Sequence, residues 1–285
     1  MNSSLKQPSP ISLLLIAILS IQFGSALAKS LFSELGPWGV VALRVSFSAV
    51  FLLLIGRPKL HQQFRQNLRL IIAYGFVMAL MNSAFYAAID RIPLGIAIAL
   101  EFTGPLGLAV FQSQQWKDGL WAALAAVGIF LLAPFSGSAV DPLGMVLALF
   151  AGCCWALYIV LAARLGKALP GVEGLCWGLA VSSLLLLPIG IVTTGTTLLN
   201  PRLLMIGFGV ALLSTMLPYA CEIMALRSLP IKVFGVMLSL EPMAGVVAGF
   251  LILGETLSVR SLIACVLVSI AAAGAAQFQE PPLPG

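Results

Sequence analysis

Three glutamates lie inside long apolar segments of this 285-residue chain: Glu101 in IAIALEFTGPLGLAV, Glu222 in LPYACEIMAL and Glu241 in VMLSLEPMAGVVAGF. An acidic side chain at the depth of a bilayer costs about 2.5–3.5 kcal/mol on insertion scales. Such a residue persists where it faces a protein interior or a watery cavity and has a partner. These carboxylates are therefore the first candidates for a functional site.

Two basic residues belong to the same apolar segments. Arg44 lies in the middle of GVVALRVSFSAVF, and Lys29 ends the first apolar segment. They are the cations available for an anionic group of a ligand. Arg44 could equally form a buried structural ion pair with Glu101 or Glu222, and both interpretations stay open here.

Amide and aromatic side chains of these segments are candidates for lining the same cavity. They fall three or four residues apart, which places each pair on one face of a helix: Asn82 with Tyr86, Trp155 with Tyr158, and Tyr219 with Glu222. Such residues are also ordinary material for helix packing, so each has a structural alternative.

The remaining acidic residues and prolines favour structural or gating roles. Pro105 and Pro242 fall inside predicted helices and should bend or unwind them. Glu241, directly before Pro242, is expected to cap the broken backbone rather than to touch a ligand. Glu255 is expected to stabilise a helix end or to pair with Arg260.

The composition predicts an all-α membrane protein that positions these residues. Hydrophobic residues make up 60% of the chain and charged residues 9%, against about 25% charged in an ordinary soluble domain. A membrane-spanning helix needs roughly 20 mostly apolar residues. Breakers separate ten such segments, at about 11–30, 37–56, 70–89, 93–112, 119–135, 142–163, 172–192, 203–226, 231–253 and 259–278.

The chain also repeats itself at an offset of 137 residues. IPLGIAIALEFTGPL at 92–106 is similar to LPIKVFGVMLSLEPM at 229–243, and both contain prolines twelve residues apart. Five helices per half is an odd number, so the halves 1–137 and 138–285 must be inverted relative to each other. Inverted repeats with proline-broken helices are typical of secondary transporters. SALA at 25–28 resembles a signal-peptide cleavage site, but the inverted repeat needs the first segment retained.

Lysine and arginine placement predicts that both termini are cytoplasmic. With ten helices, the cytoplasmic side holds Lys6, Arg57, Lys59, Arg65, Arg69, Lys117, Arg164, Lys167, Arg227 and Lys232. The opposite side holds Lys29, Arg91, Arg202 and Arg260. The net charge of +5 therefore reflects the excess of lysine and arginine on the cytoplasmic side. We expect no nucleic-acid partner.

Several other classes of protein are disfavoured by missing motifs. The one histidine, His61, lies in a predicted loop, and the five cysteines lack zinc spacing. There is no GxxxxGK[ST] loop for ATP-driven transport. A membrane-embedded enzyme stays an alternative, but no nucleophile-and-base constellation supports it, so we expect neither an enzyme nor a cofactor. The sequence offers no sign of an obligate protein partner.

Five stretches resemble the EamA family of the drug/metabolite transporter superfamily: FGSALAKSLF, GVVALRVSFSA, RIPLGIAIALEFTGPL, STMLPYACEIMALRSLP and MLSLEPMAGVVAGFLILGETLS. The similarity runs from about residue 11 to 278. PLGIAIALEFTGPL and LPYACEIMAL suggest the branch that exports threonine and homoserine. The resemblance implies an efflux carrier of the bacterial inner membrane, driven by the proton motive force, with a cavity between two five-helix bundles. The alternative substrates are aromatic amino acids, purines or related metabolites.

An amino acid in that cavity would need partners for both of its charges, because unpaired charges are costly at low dielectric. Glu101 and Glu222 are expected to receive the ammonium group, and Arg44 and Lys29 the carboxylate. A buried carboxyl group can also take up and release a proton, so one of the glutamates could couple transport to protons.

Overall fold

The computed structural model of the chain describes residues 9–58, 62–112, 118–132, 141–170, 172–226, 234 and 237–277. Within these ranges, six helices are long and apolar enough to cross a membrane, and four shorter apolar helices accompany them. This agrees with an all-α membrane protein. The ten-helix inverted repeat stays a prediction.

The helices of the first half follow the predicted segments closely. They are α1 (Pro10–Ser30), α2 (Phe32–Gly56), the short α3 (Gln62–Gln66), α4 (Leu68–Ile89), α5 (Leu94–Gln112) and α6 (Asp118–Leu132). The short α3 was not predicted. The boundary predicted between the two halves, at 137–138, lies outside the described residues.

The second half is less regular. Its helices are α7 (Pro142–Ala168), α8 (Glu173–Thr194), α9 (Pro201–Ala211), α10 (Leu217–Leu226), α11 (Glu241–Leu253) and α12 (Val259–Gln277). A π-helical turn, Leu212–Met216, joins α9 to α10, so the predicted segment 203–226 is three pieces. In the predicted segment 231–253, most residues before 237 lie outside the described ranges.

Three helices begin with the same local signal, a short polar residue followed by proline. Ser9, Asp141 and Asn200 each accept a hydrogen bond from a backbone N–H in the first turn of α1, α7 and α9. These caps satisfy N–H groups that have no partner within the helix. The proline that follows has no N–H to be left unpaired, and its fixed φ suits the first turn of a helix. The breakers in the sequence therefore mark real helix starts.

Pro242 is placed differently from the prediction. Pro242 occupies the first turn of α11, after a turn at Ser239–Leu240, so it begins a helix instead of bending one. Pro105 lies inside α5, which continues through it to Gln112 without unwinding. Pro37 also lies inside α2, where Gly36 has a left-handed φ of 65° and produces a kink.

The most extensive helix contacts cross from one predicted half to the other. The helices of the first half pack on those of the second as follows: α2 on α8, α4 and α5 on α7, α6 on α12, and α1 on α10 and α11. Glycines allow the closest of these approaches. A Cβ on Gly152 of α7 would lie 2.5 Å from the carbonyl oxygen of Glu101. The two halves therefore share one core, and the cavity lies within it.

Candidate functional site

A cavity of about 510 Å³ lies between the helices of the two halves. Its wall combines apolar side chains with a concentrated set of polar ones. The polar and aromatic members are Gln22, Ser25, Arg44, Asn82, Phe85, Glu101, Phe102, Trp155, Tyr158, Ser214, Glu222 and Glu241. Most of the side chains that the sequence singled out as candidates for chemistry therefore share one space.

All three glutamates of the apolar segments line this cavity. Glu101 comes from the middle of α5, Glu222 from α10 and Glu241 from the first residue of α11. Glu241 is buried, and the other two are partly exposed to the cavity. Among the described residues, no group of three or more acidic, histidine or cysteine side chains is arranged to hold a metal ion.

The position of Glu101 is set by its backbone. Pro105 lacks the N–H that would bond to the Glu101 carbonyl oxygen four residues earlier. That carbonyl oxygen faces Gly152 of α7, where the two helices are in close contact. Helix α5 is thus held against α7 at the residue that carries the carboxylate.

Arg44 is held in the cavity wall by two residues of α4. Its Nη2 donates a hydrogen bond to Oδ1 of Asn82. The amide nitrogen of Asn82 in turn donates to the Met78 carbonyl oxygen at 2.8 Å, which orients the Asn82 oxygen toward Arg44. The Tyr86 ring lies below the guanidinium, 5.3 Å from Cζ to the ring centroid.

Within the described part of the chain, no acidic side chain forms a salt bridge with Arg44. No salt bridge joins it to Glu101 or Glu222, and its buried Nε has no hydrogen-bond partner among the described residues. The structural ion pair considered from the sequence is therefore not formed in this state. A guanidinium in this position can bind a carboxylate.

The aromatic candidates divide between the cavity and its surroundings. Trp155 lines the cavity and packs edge-on against Phe102, with ring centroids 5.2 Å apart. Tyr158 lines it too and stacks on Tyr74 at 5.0 Å. Tyr86 is fully buried behind Arg44 and is not part of the wall. Tyr219 borders a separate space of about 170 Å³ with Tyr74 and Tyr158.

Lys29 and Glu255 form an ion pair away from the cavity. The Lys29 ammonium lies 2.5 Å from Oε1 of Glu255 and donates to the Ile92 carbonyl oxygen at 2.9 Å. Oε2 of Glu255 accepts the backbone N–H of Leu94 at 2.8 Å. Glu255 thus bonds to the N-terminal end of α5 and pairs with Lys29. Neither residue lines the cavity, because the pair occupies the ends of α1 and α5.

Glu241 and Gln22 form a contact that the sequence did not suggest. Gln22 donates from Nε2 to Oε2 of Glu241 at 3.3 Å, and both are buried. The structure therefore places the Glu241 side chain in the cavity wall, where it contacts α1. Gln22, Ser25 and Ser214 were missed as lining residues. Gln22 and Ser25 are polar residues three apart in an apolar segment, which is the same signal that identified Asn82 and Tyr86.

Comparison with known proteins gives consistent results. Residues 142–276 match the EamA-like transporter family. The threonine/homoserine exporter RhtA of Salmonella typhimurium is 41% identical over 277 residues, which cover 96% of this chain and 93% of the relative. RhtA of Escherichia coli K12 is 42% identical over 268 residues, covering 93% and 90%. A solved protein crystal structure shares the fold, with a TM-score of 0.61 and 16% identity over 94% of this chain and 98% of that one.

Proposed function

Because this chain belongs to the EamA-like transporter family, we propose that it is an inner-membrane carrier that exports small amino acids such as threonine and homoserine. The relatives named threonine/homoserine exporter match more than nine-tenths of the chain. The observation that carries the proposal is one cavity lined by three carboxylates and by a cation that has no salt-bridge partner among the described residues.

Arg44 is the residue that binds the substrate carboxylate. Asn82 and Tyr86 hold the guanidinium in place, and its Nε has no other partner among the described residues. A guanidinium binds a carboxylate through charge-assisted hydrogen bonds, which are roughly twice as strong as neutral ones. The substrate therefore supplies the counter-charge that Arg44 lacks.

Glu101 and Glu222 are the residues that receive the substrate ammonium group. Both line the cavity from helices of different halves, α5 and α10. A zwitterion brings one positive charge, so it can neutralise one of the three carboxylates. The others must be paired or protonated at this depth. This charge balance supports exchange of protons for substrate, driven by the proton motive force.

Alternating access would occur between the two inverted halves. The Lys29–Glu255 pair joins α1 of the first half to the segment after α11 of the second. With both termini in the cytoplasm, this pair would lie at the outer end and hold α1 to the second half there. Export would then require the pair to separate.

A second candidate is export of aromatic amino acids or other planar metabolites. The edge-on pair of Trp155 and Phe102, with Tyr158 nearby, gives part of the cavity an aromatic wall. Such a wall packs well against a ring. Transport of aromatic amino acids in preference to threonine would favour this candidate.

The test is rescue of a bacterium that lacks its own amino-acid exporters. Expression should raise resistance to excess homoserine and threonine and lower their intracellular levels. Arg44→Gln should abolish the rescue, whereas Arg164→Gln, at an exposed position on α7, should retain it. Unchanged resistance with the wild-type protein present in the membrane would reject these substrates. Product formation without a gradient would instead indicate an enzyme.

A further inference from the structure

Gln22 has a distinct environment within the cavity wall. It lies on α1, is 2% exposed, and lines the cavity together with Ser25 one turn later. Its Nε2 donates to Oε2 of Glu241 at 3.3 Å. In this contact the amide nitrogen is the donor and a carboxylate oxygen is the acceptor. The amide oxygen is left for another group.

That amide oxygen has no donor. Oε1 of Gln22 is buried and has no hydrogen-bond partner in the described part of the chain. A buried acceptor without a donor is unfavourable, and natural proteins leave few of them. Because Gln22 is itself a lining residue, a molecule in the cavity lies beside the side chain whose amide oxygen lacks a donor.

The chemistry of the neighbours indicates which donor this is. The proposed partners of the substrate ammonium, the carboxylates of Glu101 and Glu222, line the same cavity. Each of them is a stronger partner for a cation than a neutral amide oxygen. The amide is therefore suited to a neutral donor such as a hydroxyl group.

We propose that Oε1 of Gln22 accepts a hydrogen bond from the side-chain hydroxyl of the substrate and selects hydroxylated amino acids over their apolar isosteres. This inference rests on the proposed function and deepens it. Threonine and homoserine both carry such a hydroxyl, whereas valine has the shape of threonine with a methyl group in its place. A site that hydrogen-bonds a hydroxyl rejects the analogue that lacks it, because the buried acceptor is left unpaired.

The experiment measures competition in everted membrane vesicles. Transport of labelled homoserine is inhibited by unlabelled threonine or valine, and the ratio of the two inhibitory concentrations reports the preference for the hydroxyl. Gln22→Met keeps the length of the side chain and removes the acceptor. It should reduce the preference about tenfold, the effect of one lost hydrogen bond. Gln62→Met, on the exposed α3, makes the same chemical change away from the cavity and should leave the ratio unchanged.

If Gln22→Met inserts but does not transport, the same preference is measured by binding. Purified protein in detergent is heated with threonine or with valine, since a ligand that binds the folded state raises the melting temperature. The wild type should be stabilised more by threonine, and the variant equally by both.

Three results would overturn the assignment. An unchanged ratio in Gln22→Met would show that another group reads the hydroxyl. A wild type without preference for threonine over valine would indicate that water satisfies Oε1. In both cases the proposed export function would stand. Transport of neither threonine nor homoserine by the wild type would instead reject the export function and this assignment together.

Discussion

Arg44 and the cavity glutamates share a charge balance that depends on the substrate. The guanidinium is oriented by Asn82 and Tyr86, yet it forms no salt bridge with Glu101 or Glu222. In the proposed mechanism, the empty carrier therefore needs protons on its carboxylates, and the loaded carrier needs an amino acid. Replacing one carboxylate should separate these two requirements.

The first prediction concerns Glu101→Gln and Glu222→Gln. The amide keeps size and hydrogen bonding but cannot titrate, so gradient-driven efflux should collapse in the variant that removes the proton carrier. Exchange of labelled for unlabelled substrate at zero gradient should survive, because exchange does not return an empty carrier. Both variants should accumulate in the membrane like the wild type, since neither strands an ion pair with Arg44.

Two outcomes would count against these roles. Full gradient-driven transport by both variants would remove the two carboxylates from coupling. A loss of membrane abundance that is restored by also replacing Arg44 would show a structural ion pair, which costs about 3–5 kcal/mol when one partner is removed.

At the level of single residues, the sequence predicted which residue types line the cavity better than it predicted which side chains touch each other. Glu101, Glu222, Arg44, Asn82, Trp155 and Tyr158 could be placed in one cavity because polar groups in apolar segments avoid lipid. Lys29, Tyr86 and Tyr219 could not be excluded from it. Whether a side chain faces the cavity depends on the rotation of its helix, which is decided by packing against neighbouring helices.

The contact between α5 and α7 is the element that positions Glu101. The second prediction is that Gly152→Ala destabilises the protein by about 1–3 kcal/mol, as overpacking does in close-packed cores. The added methyl group would lie 2.5 Å from the Glu101 carbonyl oxygen. The melting temperature should fall, and transport should fall with it.

Gly107→Ala is the matched control on α5. A Cβ at this position has no atom within 4 Å, and alanine favours a helix over glycine. This variant should be neutral or more stable. Equal melting temperatures for Gly152→Ala and the wild type would contradict the close contact.

The ion pair between Lys29 and Glu255 joins elements of the two halves. The third prediction is that Lys29→Met and Glu255→Gln are non-additive, with a coupling free energy of about 1–3 kcal/mol from melting temperatures of single and double variants. Both side chains are mostly buried, at 18% and 15% exposure. The pair Arg91–Asp141, at 3.4 Å and 43% and 36% exposure, is the control and should couple by less than about 1 kcal/mol. Equal coupling in the two cycles would contradict a special role for the first.

At the level of elements, local signals succeeded where a helix begins and failed inside the membrane. Ser9, Asp141 and Asn200 mark helix starts through caps that need only the neighbouring residues. The π-helical turn at Leu212–Met216, in contrast, packs against a helix that is distant in the sequence, α1. Ser20 of α1, for example, donates to the Leu213 carbonyl oxygen at 2.6 Å.

The whole molecule is held together by contacts between its halves, which is consistent with a carrier whose site lies between them. The fourth prediction concerns its topology. Reporter fusions after Gln7, near Arg65 and after Gln279 should report the cytoplasm, and a fusion near Gly137 should report the outside. Since five helices must precede Gly137, a cytoplasmic signal there would contradict the inverted repeat.

The overall class of the molecule followed from the sequence because 60% hydrophobic residues leave few alternatives to a membrane protein. The way in which the halves pack did not follow. Helix pairing in a membrane depends on small residues and on shape. Gly104 and Gly152 lie at the contact between α5 and α7, and the sequence did not predict which two helices would meet there.

The most direct measurement is threonine flux in proteoliposomes that contain the purified protein and a pH gradient as the sole driving force. We expect protons and labelled threonine to cross the membrane in opposite directions. Threonine should therefore accumulate, against its concentration gradient, on the side from which protons leave. A proton ionophore should abolish the accumulation, and Arg44→Gln should lack it from the start. Accumulation that is unaffected by the ionophore, or equal in wild-type and Arg44→Gln vesicles, would contradict proton-coupled amino-acid export through this cavity.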